Sequence, residues 1–311
     1  MSKHAFTVDP DTKSYSDYIG PKYWLVWFSL ACLWLLTRLP FYLQMRIGHG
    51  VGWLSYHLVG RRRKVTLTNI ALCFPEMDEH ERVKLAKSVF VSYGKGLVET
   101  ALSWMRPKSW FAHRVTIDGW ENIKPILASG KGVVLVGGHF AILDLFGALV
   151  SPDIRADMVQ RNHDNALFDL FMTRARESFG GKCIARRDVR RMVRSLRSGR
   201  VLWYPPDQDY GRKDSAFVPF FNIPAATITS TSGLARLGKA AVVPVFFYRT
   251  EGDNYRIRFY PALNIPSGDD VQDAAEFMQF IEARVREHPD QYLWMHRRFK
   301  TRPEGEESVY K

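Results

Sequence analysis

Hydrophobic and polar positions change their rhythm several times along the chain. Residues 1–22 are polar, and YWLVWFSLACLWLL (23–36) then runs fourteen residues without a charge. From 77 to 104 the apolar positions Val83, Leu85, Ala86, Val89, Phe90, Leu97 and Leu102 recur at helical spacing and predict a helix. Beyond it, short apolar runs predict strands near 132–137, 182–185, 200–204, 241–247 and 255–260. Between them the spacing predicts helices near 140–150, 165–179, 188–198, 227–238 and 271–287, with Asp188 as an N-cap and Gly199 as a stop. This alternation predicts an α/β domain with a mainly parallel sheet flanked by helices, whose functional groups gather where strands end and helices begin.

The apolar run at 23–36 is followed at once by Arg38 and Pro40. Fourteen residues fall short of the roughly 20 that span a bilayer, although the segment extends to Leu43 if Arg38 snorkels. Four readings follow: a single-pass anchor, an interfacial helix, a buried core helix and a signal peptide. The last is disfavoured by its late start and the lack of a small-x-small cleavage site. Trp24, Trp27 and Trp34 suit a membrane interface. Basic residues favour the C-terminal side, with Lys13 and Lys22 before the segment and Arg38, Arg46, Arg61, Arg62, Arg63 and Lys64 after it. A spanning segment would therefore leave the body of the protein in the cytoplasm. The run GRRRK (60–64) reads either as a solvated face or as a grip on anionic lipid.

Composition sharpens this picture. A chain of 311 residues with 46% hydrophobic content fills a sizeable core, which excludes a disordered protein. A net charge of +12 implies an anionic partner without choosing among lipid headgroups, an acidic protein and nucleic acid. Cys32, Cys73 and Cys183 are odd in number and far apart, indicating neither a disulfide framework nor a zinc site.

Four stretches stand out chemically. In GVVLVGGHFAILDLFGALV (132–150), His139 sits past a strand end and Asp144 lies five residues on among apolar neighbours. If His139 lies in the turn and Asp144 one helical turn inside, the acid can orient the imidazole and leave its other nitrogen as a general base. The alternative is a structural histidine beside an exposed acid. In LWYPPDQDYG (202–211) a strand runs into a turn carrying Asp207 and Asp209, which either bond the turn locally, organise a site or hold arginines. VQRNHDNALFDLF (159–171) places Arg161 just before a helix start at Asp164 and Asn165. ARRDVRRMVRSLRSGR (185–200) sets Arg186 and Arg187 at a strand end, where guanidinium forks suit phosphate, while the later arginines read as an exposed helix face. There is no GxSxG, HExxH, GxxxxGK[ST] or GxGxxG after a strand.

Taken in order, HFAILD as HxxxxD, RRD, PPDQDYG, AVVPVF and the terminal HRRFKTRP resemble the lipid A late acyltransferases of Gram-negative bacteria, and the likeness also covers PKYWLVW and NIALCFPEM. The resemblance implies a glycerolphosphate-acyltransferase-like fold with an N-terminal membrane helix. It divides the chain into a polar segment (1–22), a membrane anchor (23–43) and a cytoplasm-facing acyltransferase domain (44–311) at the bacterial inner membrane. It implies transfer of an acyl chain, of the lauroyl class in preference to palmitoleoyl or myristoyl, from acyl carrier protein to a hydroxyl of a hydroxyacyl chain on a Kdo-lipid A precursor. Inner-membrane lipids join these as partners, with no cofactor, no metal and no nucleic acid. Carried over, His139 is the base and Asp144 its orienting acid, with Arg186 and Asp207 as further catalytic residues; Arg161, Arg187 and Asp209 are assigned to substrate. The block YPPDQDYG replaces the FPEG-type block of glycerol-phosphate acyltransferases, and RNHDNA lacks the prolines of the RPNDNP seen in relatives. A membrane-tethered basic adaptor is the rival from outside the enzymes.

Overall fold

The apolar run at 23–36 forms one helix that does not extend to Leu43. A computed structural model describes residues 13–150 and 154–310; the first twelve positions of the polar segment lie outside the described residues. Helix α1 (Trp24–Leu36) stops at Thr37, and α2 (Phe41–Leu58) starts behind Pro40. Proline lacks an N–H and pushes the residue before it out of helical geometry, so the chain turns there. No helix among the described residues is long and apolar enough to cross a membrane. The single helix expected over 23–43 is thus corrected to α1 and the start of α2, and α1 leaves Trp24, Leu25, Phe28, Trp34 and Leu35 exposed.

The GRRRK run begins α3 (Gly60–Cys73), where Arg62 donates to the carbonyl of Met295 and Arg63 to that of Tyr56. Helix α4 (Glu79–Met105) matches the predicted one and starts with a reciprocal Asp78–Glu81 capping box. It crosses α2 where Gly48 and Gly52 meet Gly94. A Cβ on Gly94 would sit 2.3 Å from the Gly48 carbonyl oxygen, so the backbones touch because these side chains are absent.

The α/β part opens with β1 (Val115–Asp118), α5 (Trp120–Ala128), β2 (Val133–Val136) and α6 (Leu143–Leu149). It continues through β3 (Ala156–Gln160), α7 (Ala166–Glu177), β4 (Cys183–Ala185), α8 (Val189–Arg197) and β5 (Val201–Trp203). A hairpin of β6 (Ser215–Phe220) and β7 (Ile223–Ile228) turns through Phe221 and Asn222, both at positive φ, and α9 (Ser230–Gly238) follows. The remainder is β8 (Ala241–Arg249), β9 (Tyr255–Phe259) and α10 (Asp270–Glu287). Seven strands pair in the order β1-β9-β8-β2-β5-β3-β4, every neighbouring pair parallel except β8 with β9. The mainly parallel sheet is as expected, and both faces of β2 are buried, as its all-apolar VVLV requires.

The connections fix which helices share a face. From β2 the chain steps through α6 to β3 and through α7 to β4, then reverses through α8 to β5 and through α9 to β8. Right-handed crossovers put α6 and α7 on one face and α8 and α9 on the other. Helix α4 packs on α6 and α7 and carries α1 and α2, while α8 packs on α9. Strands β2, β5, β3 and β4 run in parallel, so their C-terminal ends lie along a single edge.

Candidate active site

That edge collects most of the residues singled out from sequence. Beyond β2, Gly137 and Gly138 bring the chain close under its neighbours; a Cβ on Gly137 would lie 2.7 Å from the Val245 carbonyl oxygen. His139 comes next, and the adjacent strand β5 delivers Asp207. The two are locked together twice: the His139 backbone N–H donates to Asp207 Oδ2 at 2.8 Å, and His139 Nδ1 lies 2.5 Å from Asp207 Oδ1. Asp207 is 1% exposed. Burial alone would raise its carboxyl, but the adjacent imidazole and these hydrogen bonds outweigh burial and hold it below the usual carboxylate range. With Nδ1 committed to an ionised carboxylate, Nε2 is the nitrogen left to take a proton.

The acid touching His139 is therefore Asp207, and the expected His139–Asp144 pairing is corrected. Asp144 lies in the first turn of α6, where its Oδ1 accepts from Arg176 Nε at 2.7 Å. Arg176 also donates through Nη1 to Gln160 Oε1 at 2.8 Å. Burial would lower the Arg176 guanidinium, but the Asp144 carboxylate reverses this and keeps it charged. Local spacing gives no sign of Arg176, which sits inside α7 among residues that read as an ordinary amphipathic helix.

His139, Asp144 and Arg176 all line one cleft, with about 620 Å³ free of protein atoms. Among the described residues its walls are otherwise apolar and include Leu143, Phe146, Val150, Met158, Phe179 and Trp203. An apolar cleft with a few convergent polar groups is the usual form of a ligand site. Of the apolar residues flanking the motif, Phe146 faces the cleft, whereas Phe140 packs against Phe246 and Tyr292, and Ile142 is core.

The turn bearing His139 is held from outside. Its carbonyl accepts from the Leu293 N–H at 3.0 Å and the Tyr93 hydroxyl at 3.1 Å, and the Ala141 N–H donates to the Gln291 carbonyl at 2.9 Å. The Gln291 side chain exchanges two hydrogen bonds with the Arg249 backbone, and Arg249 pairs with buried Glu99 of α4. The backbone N–H groups of His139, Phe140 and Ala141 are thus already donated. None of these three N–H groups is left to donate to a developing oxyanion.

The other expected residues separate. Asp209, 1% exposed, accepts from the Thr301 N–H and hydroxyl and the Gly211 N–H, so it braces the C-terminal segment. Its own N–H donates to His296 Nε2, and burial pushes that imidazole down to about 4. Arg161 follows β3, is exposed and pairs with Asp164 at 3.3 Å. Asn165, not Asp164, caps α7. Arg186 and Arg187 follow the edge strand β4 and are exposed. Three strand spacings of roughly 4.8 Å put them about 14 Å along the edge from β2. Arg186 nevertheless acts electrostatically on Tyr210 in the turn after Asp207. Among the described residues no group of three or more His, Cys, Asp or Glu is arranged to hold a metal ion.

A sequence profile described as "Bacterial lipid A biosynthesis acyltransferase" matches residues 12–301. The chain is 39% identical over 295 residues to the lipid A biosynthesis lauroyltransferase of Escherichia coli (strain K12), covering 94% of this chain and 96% of that protein. It is 37% identical to the palmitoleoyltransferase of the same organism, covering 97% and 99%. With the myristoyltransferase of that organism it shares 29%, covering 94% and 91%.

Proposed function

The chain belongs to the bacterial lipid A biosynthesis acyltransferase family, and from that premise we propose that it moves a lauroyl-class acyl chain from acyl carrier protein to a hydroxyl on a hydroxyacyl chain of a Kdo-lipid A precursor. The observation that carries this reading is the His139–Asp207 pair opening onto a cleft whose other lining residues, among the described residues, are apolar except Asp144 and Arg176. Asp207 fixes the tautomer of His139. Nε2 removes the proton of the acceptor hydroxyl, whose oxygen attacks the thioester carbonyl. The tetrahedral oxyanion collapses, the C–S bond breaks, and the thiolate leaves with the proton that the imidazolium returns.

The developing oxyanion needs a donor, and Arg176 is the better candidate than Arg186. It is charged, lines the cleft, and among the described residues its Nη2 has no hydrogen-bond partner once Asp144 and Gln160 have taken Nε and Nη1. In this scheme Asp144 acts by orienting Arg176. Arg161, Arg186 and Arg187, exposed along the same edge, face the anionic groups of the acceptor. The apolar cleft takes the donor chain. Exposed Trp24, Leu25, Phe28, Trp34 and Leu35 support a monotopic seat on the cytoplasmic side of the inner membrane.

The test is an assay of purified protein with acyl-carrier thioesters of graded chain length and a Kdo-lipid A precursor, read by mass spectrometry. One added acyl mass from the wild type and none from His139→Ala is expected. Full activity of His139→Ala would sink the mechanism and bring the basic-adaptor reading forward.

A further inference from the structure

Helix α8 carries a stripe of charge that its own fold disfavours. Arg190 and Arg191 occupy the second and third positions of the helix, and Arg194 lies one turn on; all three are exposed. Cations there oppose the positive end of the helix dipole, and Arg190 and Arg194 are like charges at i,i+4. The first turn contains no acidic residue, and the N-cap Asp188 spends its carboxylate on the Arg191 backbone N–H. Among the described residues none of the three arginines has an ion-pair partner, whereas Arg200 just beyond is paired with Asp157. A helix face that is merely solvated mixes signs and puts acids at its start.

We propose that Arg190, Arg191 and Arg194 form the docking surface for the acidic acyl carrier protein that brings the thioester. This rests on the carrier-dependent reading above. Three features of placement select that partner. Helix α8 starts at the C-terminal end of β4, on the same edge that presents His139, so a carrier seated there has its acyl arm at the mouth of the cleft. The buried side of α8, through Met192, Ser195 and Leu196, packs inward and leaves the arginines facing out. The apolar surface of α1 and α2 lies on the opposite face of the sheet, across α4, so a membrane seated there leaves α8 to a soluble partner.

The test compares wild type with R190E/R191E/R194E and with the milder triple glutamine variant, using the Kdo-lipid A precursor as acceptor. Donors are the acyl carrier protein thioester and the same acyl group on a carrier-free pantetheine thioester. The expected result is a KM for the carrier thioester raised tenfold or more, kcat within twofold, and a flattened salt dependence. Carrier-free donor should be used with kcat/KM within threefold of wild type, and thermal stability should be no lower, since glutamate suits the first turn. An unchanged KM for the carrier thioester, with wild type active on it, overturns this surface and leaves the transferase reading intact. A rise confined to the KM of the lipid acceptor overturns it too, in favour of a lipid-binding stripe. Failure of the wild type to use the carrier thioester at all overturns both readings.

Discussion

Replacing Asp207 by asparagine isolates the electrostatic core of the site with almost no change of shape. Asp207 accepts twice from His139, once from the fixed backbone N–H at 2.8 Å and once at Nδ1 at 2.5 Å. Asparagine has one oxygen and one NH2. If the oxygen takes the backbone N–H, the NH2 faces Nδ1 and forces that nitrogen to accept, moving the ring proton to Nε2 and removing the base. The flipped amide would oppose two donors at a site 1% exposed, at a cost of about 1–3 kcal/mol. The wrong tautomer is therefore the stable one. The equivalent exchange in the serine-protease triad lowers kcat by about 10⁴, or ~5.5 kcal/mol of barrier, and a fall of roughly 10³–10⁴ is expected here. Turnover at saturating thioester and acceptor measures it, with ¹⁵N chemical shifts of the His139 ring reporting the tautomer. A kcat within tenfold of wild type, or a ring still protonated on Nδ1, would refute the argument.

Three further outcomes are expected. Gly147 lines the cleft with its missing Cβ 2.8 Å from the Phe179 ring. Gly147→Met should shift preference to shorter acyl chains, each excluded methylene costing ~0.8 kcal/mol or about fourfold in kcat/KM; an unchanged chain-length profile would place the acyl chain elsewhere. In Gly94→Ala the new Cβ meets the backbone of α2 at 2.3–2.6 Å, so an overpacking loss of about 1–3 kcal/mol is expected from denaturant unfolding, and a wild-type midpoint would contradict the close crossing. His296 is held neutral by burial down to about 4 against an ordinary 6.5. The unfolded chain therefore binds the extra proton first, and stability present above 6.5 is lost as pH falls toward 4. Melting curves of His296→Gln should decline less across that window, and parallel curves would deny the assignment.

The legibility of the chain follows from how local each signal is. The five predicted strands lie within one or two residues of those observed, because a core strand such as VVLV must be wholly apolar. Asp188 and Gly199 were readable as helix punctuation because capping and positive φ are satisfied within a few residues. Strands β1 and β3 give no apolar run, because polar Thr116 and Asp118 interrupt the one and Asp157 and Gln160 the other within four or five residues. The hairpin escaped for another reason, since Pro219 and Pro224 read as breakers but sit opposite each other in a two-stranded ribbon, where proline is tolerated. The apolar run at 23–36 invites extension to Leu43, but α1 stops at Leu36 and Pro40 starts a new helix.

The sequence by itself determined the fold class, the family and the position of His139 at a strand end, because motif order and hydrophobic period are properties of the chain. Only the tertiary structure decided which carboxylate meets that histidine. Asp144 is five residues away and Asp207 sixty-eight, yet β2 and β5 are neighbours in the sheet, so the distant residue arrives at 2.5 Å while the near one turns to Arg176. Strand adjacency is set by crossover topology and not by sequence distance, and that is why the partners of both acids were invisible until the sheet was assembled.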